Sequence, residues 1–162
     1  MTQPCTIREA EAADHGQWLP LWEGYNAFYG RSGATALPPE VTAATWARLL
    51  DPREPMHALL ALDGPQVLGL AHIIFLRNTI MLGMTCYLQD LFTAPAARGR
   101  GIGRQLILAV YDQARRAGAT RVYWHTQEAN RTARSLYDAV AKHSGFIVYR
   151  HDLLQEPAGH GG

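Results

Sequence analysis

Apolar positions along this chain recur with two different periods, and the switches between them mark its elements. Residues 6–9 read as a short first strand. Over residues 15–29, Trp18, Leu21, Trp22, Tyr25 and then Phe28 or Tyr29 return every three to four positions, the spacing of one helical face. Residues 30–39 form a loop, and a second helix over 40–50 is stopped by Asp51-Pro52. Two apolar runs, 58–62 and 67–76, are joined across Asp63-Gly64-Pro65, which predicts a hairpin. A further strand spans 86–93. Helical spacing resumes over 101–117, with Ile102, Leu106, Ile107, Val110 and Ala114 on one face and Gly118 placed to end the helix. Arg121-Val122-Tyr123-Trp124-His125-Thr126 has the β-branched and aromatic character of a strand, Asn130 is placed to cap a helix, and residues 146–153 read as a last strand. This order predicts an α/β fold in one domain over residues 1–156, with residues 157–162 as a frayed tail.

The junction at residues 91–104 is the most informative stretch. A strand ending in Leu91-Phe92-Thr93 runs through Pro95 into Arg98-Gly99-Arg100-Gly101-Ile102-Gly103-Arg104, and a long helix starts there. Glycines let the backbone reach positive φ and pass close to a ligand. The first helical turn has N–H groups without intrahelical acceptors, and the macrodipole there favours an anion. Arg98, Arg100 and Arg104 add full charges. The loop reads as a pyrophosphate cradle made largely of backbone, the plainer alternative being a glycine-rich turn with solvated arginines. It is not a Walker A loop, because Arg104 and Gln105 follow Gly103 where Lys and Ser or Thr are needed. Nor is it a dinucleotide fingerprint, whose third glycine would fall at Leu106.

Composition narrows the classes. With 162 residues the chain can bury a proper core. A net charge of +1 argues against a nucleic-acid-binding surface. No apolar run is long enough to span a bilayer, and the N-terminus lacks the signal-peptide pattern, so no membrane association is expected. Cys5 and Cys86 have no paired spacing and read as free thiols, which makes the cytoplasm the expected compartment. None of the seven histidines pairs at a metal-ligand spacing, and no metal is expected.

Arg98-x-x-Gly101-x-Gly103 resembles the Gln/Arg-x-x-Gly-x-Gly/Ala signature of the GNAT N-acetyltransferase superfamily. Asn130, Ala133, Leu136 and Tyr137, followed by Gly145-Phe146, resemble that family's Asn-x-x-Ala-x-x-Leu-Tyr and Gly-Phe elements. The likeness is close over residues 86–151 and holds in outline before them, nearest to the small histone, polyamine and D-amino-acid acetyltransferases. It implies a mixed central sheet with two splayed strands, flanked by helices on both faces. It further implies acetyl-coenzyme A as co-substrate, held by Leu91, Phe92 and Thr93 along the pantetheine arm, by Arg98, Gly99, Arg100, Gly101, Ile102, Gly103 and Arg104 at the pyrophosphate, and by Asn130 and Tyr137.

The implied reaction moves acetyl to a primary amine on a small molecule, an amino acid or a peptide lysine, by direct attack in a ternary complex. An alkyl ammonium, with a pKa of about 10.4, must first lose a proton, and the leaving thiolate must gain one. Tyr137 is the candidate acid. Tyr87-Leu88-Gln89-Asp90-Leu91-Phe92 resembles a Tyr-Leu-Glu-Asp-Leu/Phe-Phe segment of polyamine-type members, but Gln89 stands where they carry glutamate and cannot take the proton as a carboxylate does. Asp90 is then the candidate base, on the opposite face from Gln89 unless a bulge intervenes, with Glu23 and a water chain as competitors. Trp22, Glu23 and Gln89 are candidate acceptor-binding residues. Cys86 precedes the pantetheine segment with nothing nearby to activate it. Tyr137 and Gly145 are eight apart where many relatives have four, which predicts a longer helix, and the short end implies an edge covered in a homodimer. A non-catalytic coenzyme A sensor or interaction module is the alternative that Gln89 keeps open.

Overall fold

A computed structural model describes residues 5–154. They fall into two compact units, one ending at Gln127 and the other beginning at Glu128. The first unit holds a five-stranded sheet in sequence order: β1 (Thr6–Glu9), β2 (Met56–Asp63), β3 (Gln66–Leu76), β4 (Thr85–Thr93) and β5 (Arg121–Tyr123). Its first four strands are antiparallel neighbours, and β4 with β5 is parallel. The sheet is therefore mixed. The β2–β3 turn closes at Gly64, whose φ of 56° a side chain would resist.

Helices cover both faces of this sheet. α1 (His15–Phe28) and α2 (Pro39–Leu50) pack Trp18, Leu21, Trp22, Tyr25 and Leu49 onto Leu60, Leu62, Leu70 and Phe92. α3 (Ile102–Arg116) lies on the other face and buries Ile102, Leu106, Ile107, Val110 and Ala114, the stripe its period predicts. Each large side chain so buried contributes about 1.5–3 kcal/mol relative to exposure. Gly69 makes the close approach possible: a Cβ there would stand 3.0 Å from the Phe92 carbonyl and 3.1 Å from Ile102 Cγ2. Of the aromatic run on α1, Trp18, Trp22 and Tyr25 are core, whereas Phe28 and Tyr29 are exposed.

Two irregularities give β4 its chemistry. Asp90 pairs with His72 and Leu88 with Ile73, so Gln89 is an extra residue, a β-bulge. Strict alternation fails there, and Gln89 and Asp90 are released from opposite faces. β5 pairs with β4 only over Thr85–Tyr87 and stops at Tyr123, three residues short of the strand that the sequence suggests. Beyond Tyr87 the two strands part, and the rest of β4 has no strand on its β5 side among the described residues.

In the second unit, Asn130 caps α4 (Arg131–Val140) as expected, its Oδ1 accepting the Ala133 N–H at 3.3 Å. Two expectations fail here. The wide spacing from Tyr137 to Gly145 does not lengthen the helix, which stops at Val140, and the additional residues form irregular chain. Residues 146–153 form no strand. Phe146-Ile147-Val148-Tyr149 has strand-forming side chains, but a strand exists only against a partner's hydrogen-bonding edge, and this run has none among the described residues. The expected tail at 157–162 lies outside the described residues.

Candidate active site

The loop after β4 has the backbone that its glycines suggest. A short 3-10 turn at Pro95–Ala97 leads to Gly99 at φ 76° and Gly101 at φ 73°, the latter being the N-cap of α3. The first helical bond runs from Gln105 N to Gly101 O at 3.0 Å, which leaves the N–H groups of Ile102, Gly103 and Arg104 without helical acceptors. No side chain caps this end. Arg98 is exposed, with Cζ 5.8 Å from the centre of the Phe92 ring, and Arg104 is exposed. Arg100 is partly committed elsewhere, donating from Nη2 to Asp63 Oδ2 at 2.8 Å. Ile102 has its side chain in the core, so only its N–H is available to a ligand.

The open stretch of β4 reaches this loop. Phe92 turns its ring into the core beneath α1, where a Cβ on Gly24 would meet it at 3.0 Å. Leu91 and Thr93 are half-buried. What this strand can offer a ligand is unpaired backbone, and an extended chain of amides is the chemical complement of such an edge.

Immediately before that edge lies a buried polar network. Trp18 Nε1 donates to His72 Nε2 at 3.0 Å, and His72 Nδ1 lies 2.9 Å from Asp90 Oδ2. His72 is 3% exposed and Asp90 7%. An indole N–H can only donate, so Nε2 accepts, and the ring proton sits on Nδ1 and points at the carboxylate. Tyr25 closes the group from α1: burial, and then the charge of Asp90 with a hydrogen bond to it, push its phenol well above the ordinary range. Tyr87, raised mainly by burial and next by Asp90, has its hydroxyl 3.2 Å from His125 Nδ1 and stacks on Tyr123 at 5.1 Å where β4 and β5 part.

A cleft of about 790 Å³ opens on the outer side of α1, between it, the following loop and α2. Trp22, Glu23, Gly24, Asn26 and Arg31 are in its wall. Trp22 is buried and donates from Nε1 to Thr42 Oγ1 at 3.2 Å, so it forms floor, while exposed Glu23 presents its carboxylate. Gly24, in the cleft wall, packs closely on the Phe92 ring, which a Cβ there would meet at 3.0 Å.

The first unit carries Asp90, Leu91, Phe92, Thr93 and the glycine–arginine loop as one continuous run, with exposed Gln89 at the bulge and Trp22 and Glu23 in the wall of the cleft against α1. Asn130 and Tyr137 belong to the second unit, two turns apart on α4. Sequence reasoning named Asp90 and the aromatic face of α1 but passed over Arg31 and the network that joins Tyr25, Trp18 and His72 to Asp90. Tyr25 looked like one more core aromatic, Arg31 sits in a loop without periodicity, and a strand histidine is undistinguished until its neighbours are known. Cys86 is fully buried and its thiol is pushed up to about 11 by burial, so nothing prepares it as a nucleophile. No helix among the described residues is long and apolar enough to cross a membrane.

Comparison with known proteins gives a consistent result. The model of the acetyltransferase (GNAT) family matches residues 18–160. The D-amino-acid N-acetyltransferase HPA3 of Saccharomyces cerevisiae is 32% identical over 148 residues, covering 90% of this chain and 89% of its own. Among solved structures, a probable acetyltransferase superposes with a TM-score of 0.79 at 22% identity, covering 93% of this chain and 99% of its own. The aminoglycoside acetyltransferase AAC(6')-Iy, bound to a coenzyme A bisubstrate analogue, does so with a TM-score of 0.77 at 17% identity, over 93% and 99% of the two chains.

Proposed function

Because this chain belongs to the GNAT family of acetyltransferases, we propose that it transfers acetyl from acetyl-coenzyme A to a small primary amine by direct attack in a ternary complex. The observation that carries the donor is the run from the open β4 edge into positive-φ Gly99 and Gly101 and the uncapped first turn of α3. These residues fit the donor: an amide-bearing arm against Leu91, Phe92 and Thr93, and a pyrophosphate against the N–H groups of Ile102, Gly103 and Arg104, with Arg98, Arg100 and Arg104 adding charge. Acetyl-coenzyme A, when bound, supplies the activated acyl group. AAC(6')-Iy, of the same fold, binds a coenzyme A analogue, which supports the reading.

The chain's own residues then handle protons and the acceptor. Asp90 receives the ammonium proton, directly or through water, with Glu23 in the cleft against α1 as the competing base. A backbone N–H of Leu91 or Phe92 polarises the reacting carbonyl. Tyr137 returns a proton to the leaving thiolate. Trp22, Glu23 and Gln89 contact the acceptor. Burial of Cys86 supports a route without an acyl-enzyme. HPA3 is named for D-amino acids, which makes amino acids the first acceptors to try. Free Cys5 and Cys86 support a cytoplasmic setting. The run at residues 146–149, unpaired among the described residues, supports a homodimer, and a monomer mass in micromolar solution by light scattering would remove that part of the reading.

The deciding experiment is thiol release from acetyl-coenzyme A against polyamines, D- and L-amino acids, aminoglycosides and lysine peptides. Turnover with one class establishes reaction and acceptor together. Absence of turnover with all of them, while acetyl-coenzyme A raises the melting temperature, would reject amine acetylation and leave a coenzyme A binder.

A further inference from the structure

We propose that Arg31 is the carboxylate-binding residue of the acceptor cleft, so that the preferred acceptor is a free amino acid rather than a simple amine. This rests on the reading of the chain as an amine acetyltransferase.

The guanidinium of Arg31 is held in place before any ligand arrives. Its Nε donates to Asn26 Oδ1 at 2.7 Å, and its own backbone N–H donates to the Asn26 carbonyl at 2.9 Å. Asn26 is 4% exposed and is itself fixed, because Nδ2 donates to the Trp22 carbonyl at 2.8 Å. The flat face of Arg31 lies over two rings, with Cζ 5.9 Å from the centre of Tyr25 and 5.6 Å from that of Tyr29. One nitrogen of the fork is therefore spent on positioning, and the rings restrict its rotation. The two terminal nitrogens make no ion pair among the described residues. A guanidinium fixed in this way at the wall of a cleft has the geometry for bidentate binding of a carboxylate.

The opposite end of an amino acid also finds its complement. Glu23 lines the same cleft and does not pair with Arg31. Tyr25 lies between Arg31 and the buried Asp90, and both charges act on its phenol. A cation, Arg31, and a carboxylate, Glu23, thus line one cleft, the complement of the two charged ends of an amino acid. A polyamine offers the cleft a second cation in place of the anion, and Arg31 repels it.

The test uses matched acceptors on the full-length protein: phenylalanine of both hands against phenethylamine, and alanine against ethylamine. The wild type should favour the amino acid within each pair. Arg31→Met keeps the stem and removes the charge, and should lower the amino-acid-to-amine ratio of kcat/KM by about 10- to 100-fold, mostly through KM, with Arg31→Lys intermediate. The ratio is internal to each preparation, so partial misfolding does not imitate the effect. Calorimetric titration of the amino acid into coenzyme A-loaded protein gives a readout without turnover, and Arg31→Met should weaken that binding comparably. Turnover of amines with no preference for the carboxylate, or a ratio unmoved in Arg31→Met, overturns the role of Arg31 and leaves the acetyltransferase reading standing. Loss of turnover with every amine, with amino-acid binding still dependent on Arg31, would sink the proposed reaction and retain the site.

Discussion

His72 Nδ1 lies 2.9 Å from Asp90 Oδ2, at the point where the register of β3 and β4 slips. The contact explains what the bulge accomplishes. Asp90 and Phe92 face α1 together with His72 and Leu70, while Leu88 and Cys86 pair with Ile73 and Phe75 on the α3 side. An unbroken strand would put Leu88 on the same face as Asp90 and take it out of the α3 core. One extra residue, Gln89, lets a single strand serve an apolar core on one face and a carboxylate on the other, immediately before the open edge.

The network fixes a proton position. Trp18 can only donate to Nε2, so His72 should carry its hydrogen on Nδ1. Long-range ¹H–¹⁵N correlation spectra should show that tautomer, and observation of the Nε2–H form would refute the assignment. Trp18→Phe removes the donor and strands a buried acceptor, which should cost about 1–3 kcal/mol by urea unfolding.

The loop prediction uses a built-in control. Gly101→Val forces a β-branched residue to φ 73°, at a cost of about 1–2 kcal/mol, and displaces the first-turn N–H groups. Coenzyme A affinity should fall at least about tenfold by calorimetry. Gly64→Val meets comparable strain at φ 56° in the β2–β3 turn and should destabilise the protein without weakening the ligand. Equal behaviour of the two variants would mean that the loop does not bind through its backbone.

Much of the fold was legible in the residues. The helix stripe of Ile102, Leu106, Ile107 and Val110 and the hairpin at Gly64 are local signals, and both elements form within a residue or two of expectation. The missing last strand is the contrary case. Phe146 to Tyr149 carries strand propensity, but pairing depends on a distant backbone that composition does not encode. The bulge has the same origin. It could be named as a condition in Tyr87–Phe92 but not located, because register is set by which faces of β3 are buried. Arg31 was invisible for a different reason: its significance lies in Asn26 and two rings, contacts that a loop of unknown path does not reveal.

Stability should fall at alkaline pH. Tyr25, Tyr87 and Tyr111 all have phenols raised chiefly by burial. Above about pH 10 the unfolded chain releases these protons while the folded chain keeps them. The folded state then binds more protons, so stability decreases with rising pH, by up to about 1.4 kcal/mol per pH unit for each tyrosine. Melting temperatures between pH 9 and 11 measure the slope, which Tyr25→Phe should reduce. An unchanged slope in that variant would exclude Tyr25 as its main source.

Cys86 should be dispensable for turnover. A thiol pushed up to about 11 is almost entirely protonated at neutral pH, and the side chain is fully buried. Cys86→Ala should keep kcat within about twofold at a cost of about 1 kcal/mol in stability. A loss of a hundredfold or more, with acetyl-coenzyme A binding retained, would point instead to an acyl-enzyme.

Tyr137 is the sharpest test of proton return. It lies two turns into α4, a helix whose start is set by the Asn130 cap. If its phenol protonates the leaving thiolate, Tyr137→Phe removes one oxygen and the proton it carries while keeping the ring. General acid catalysis contributes typically 10²–10⁴-fold, so kcat should drop by about a hundredfold or more. KM for the amine and the thermal shift produced by coenzyme A should change little. Replacing the thioester donor with an acyl compound whose leaving group needs no proton should restore much of the rate in the variant. A purely structural Tyr137 would lower the melting temperature and weaken coenzyme A binding instead, and the activated donor would rescue nothing.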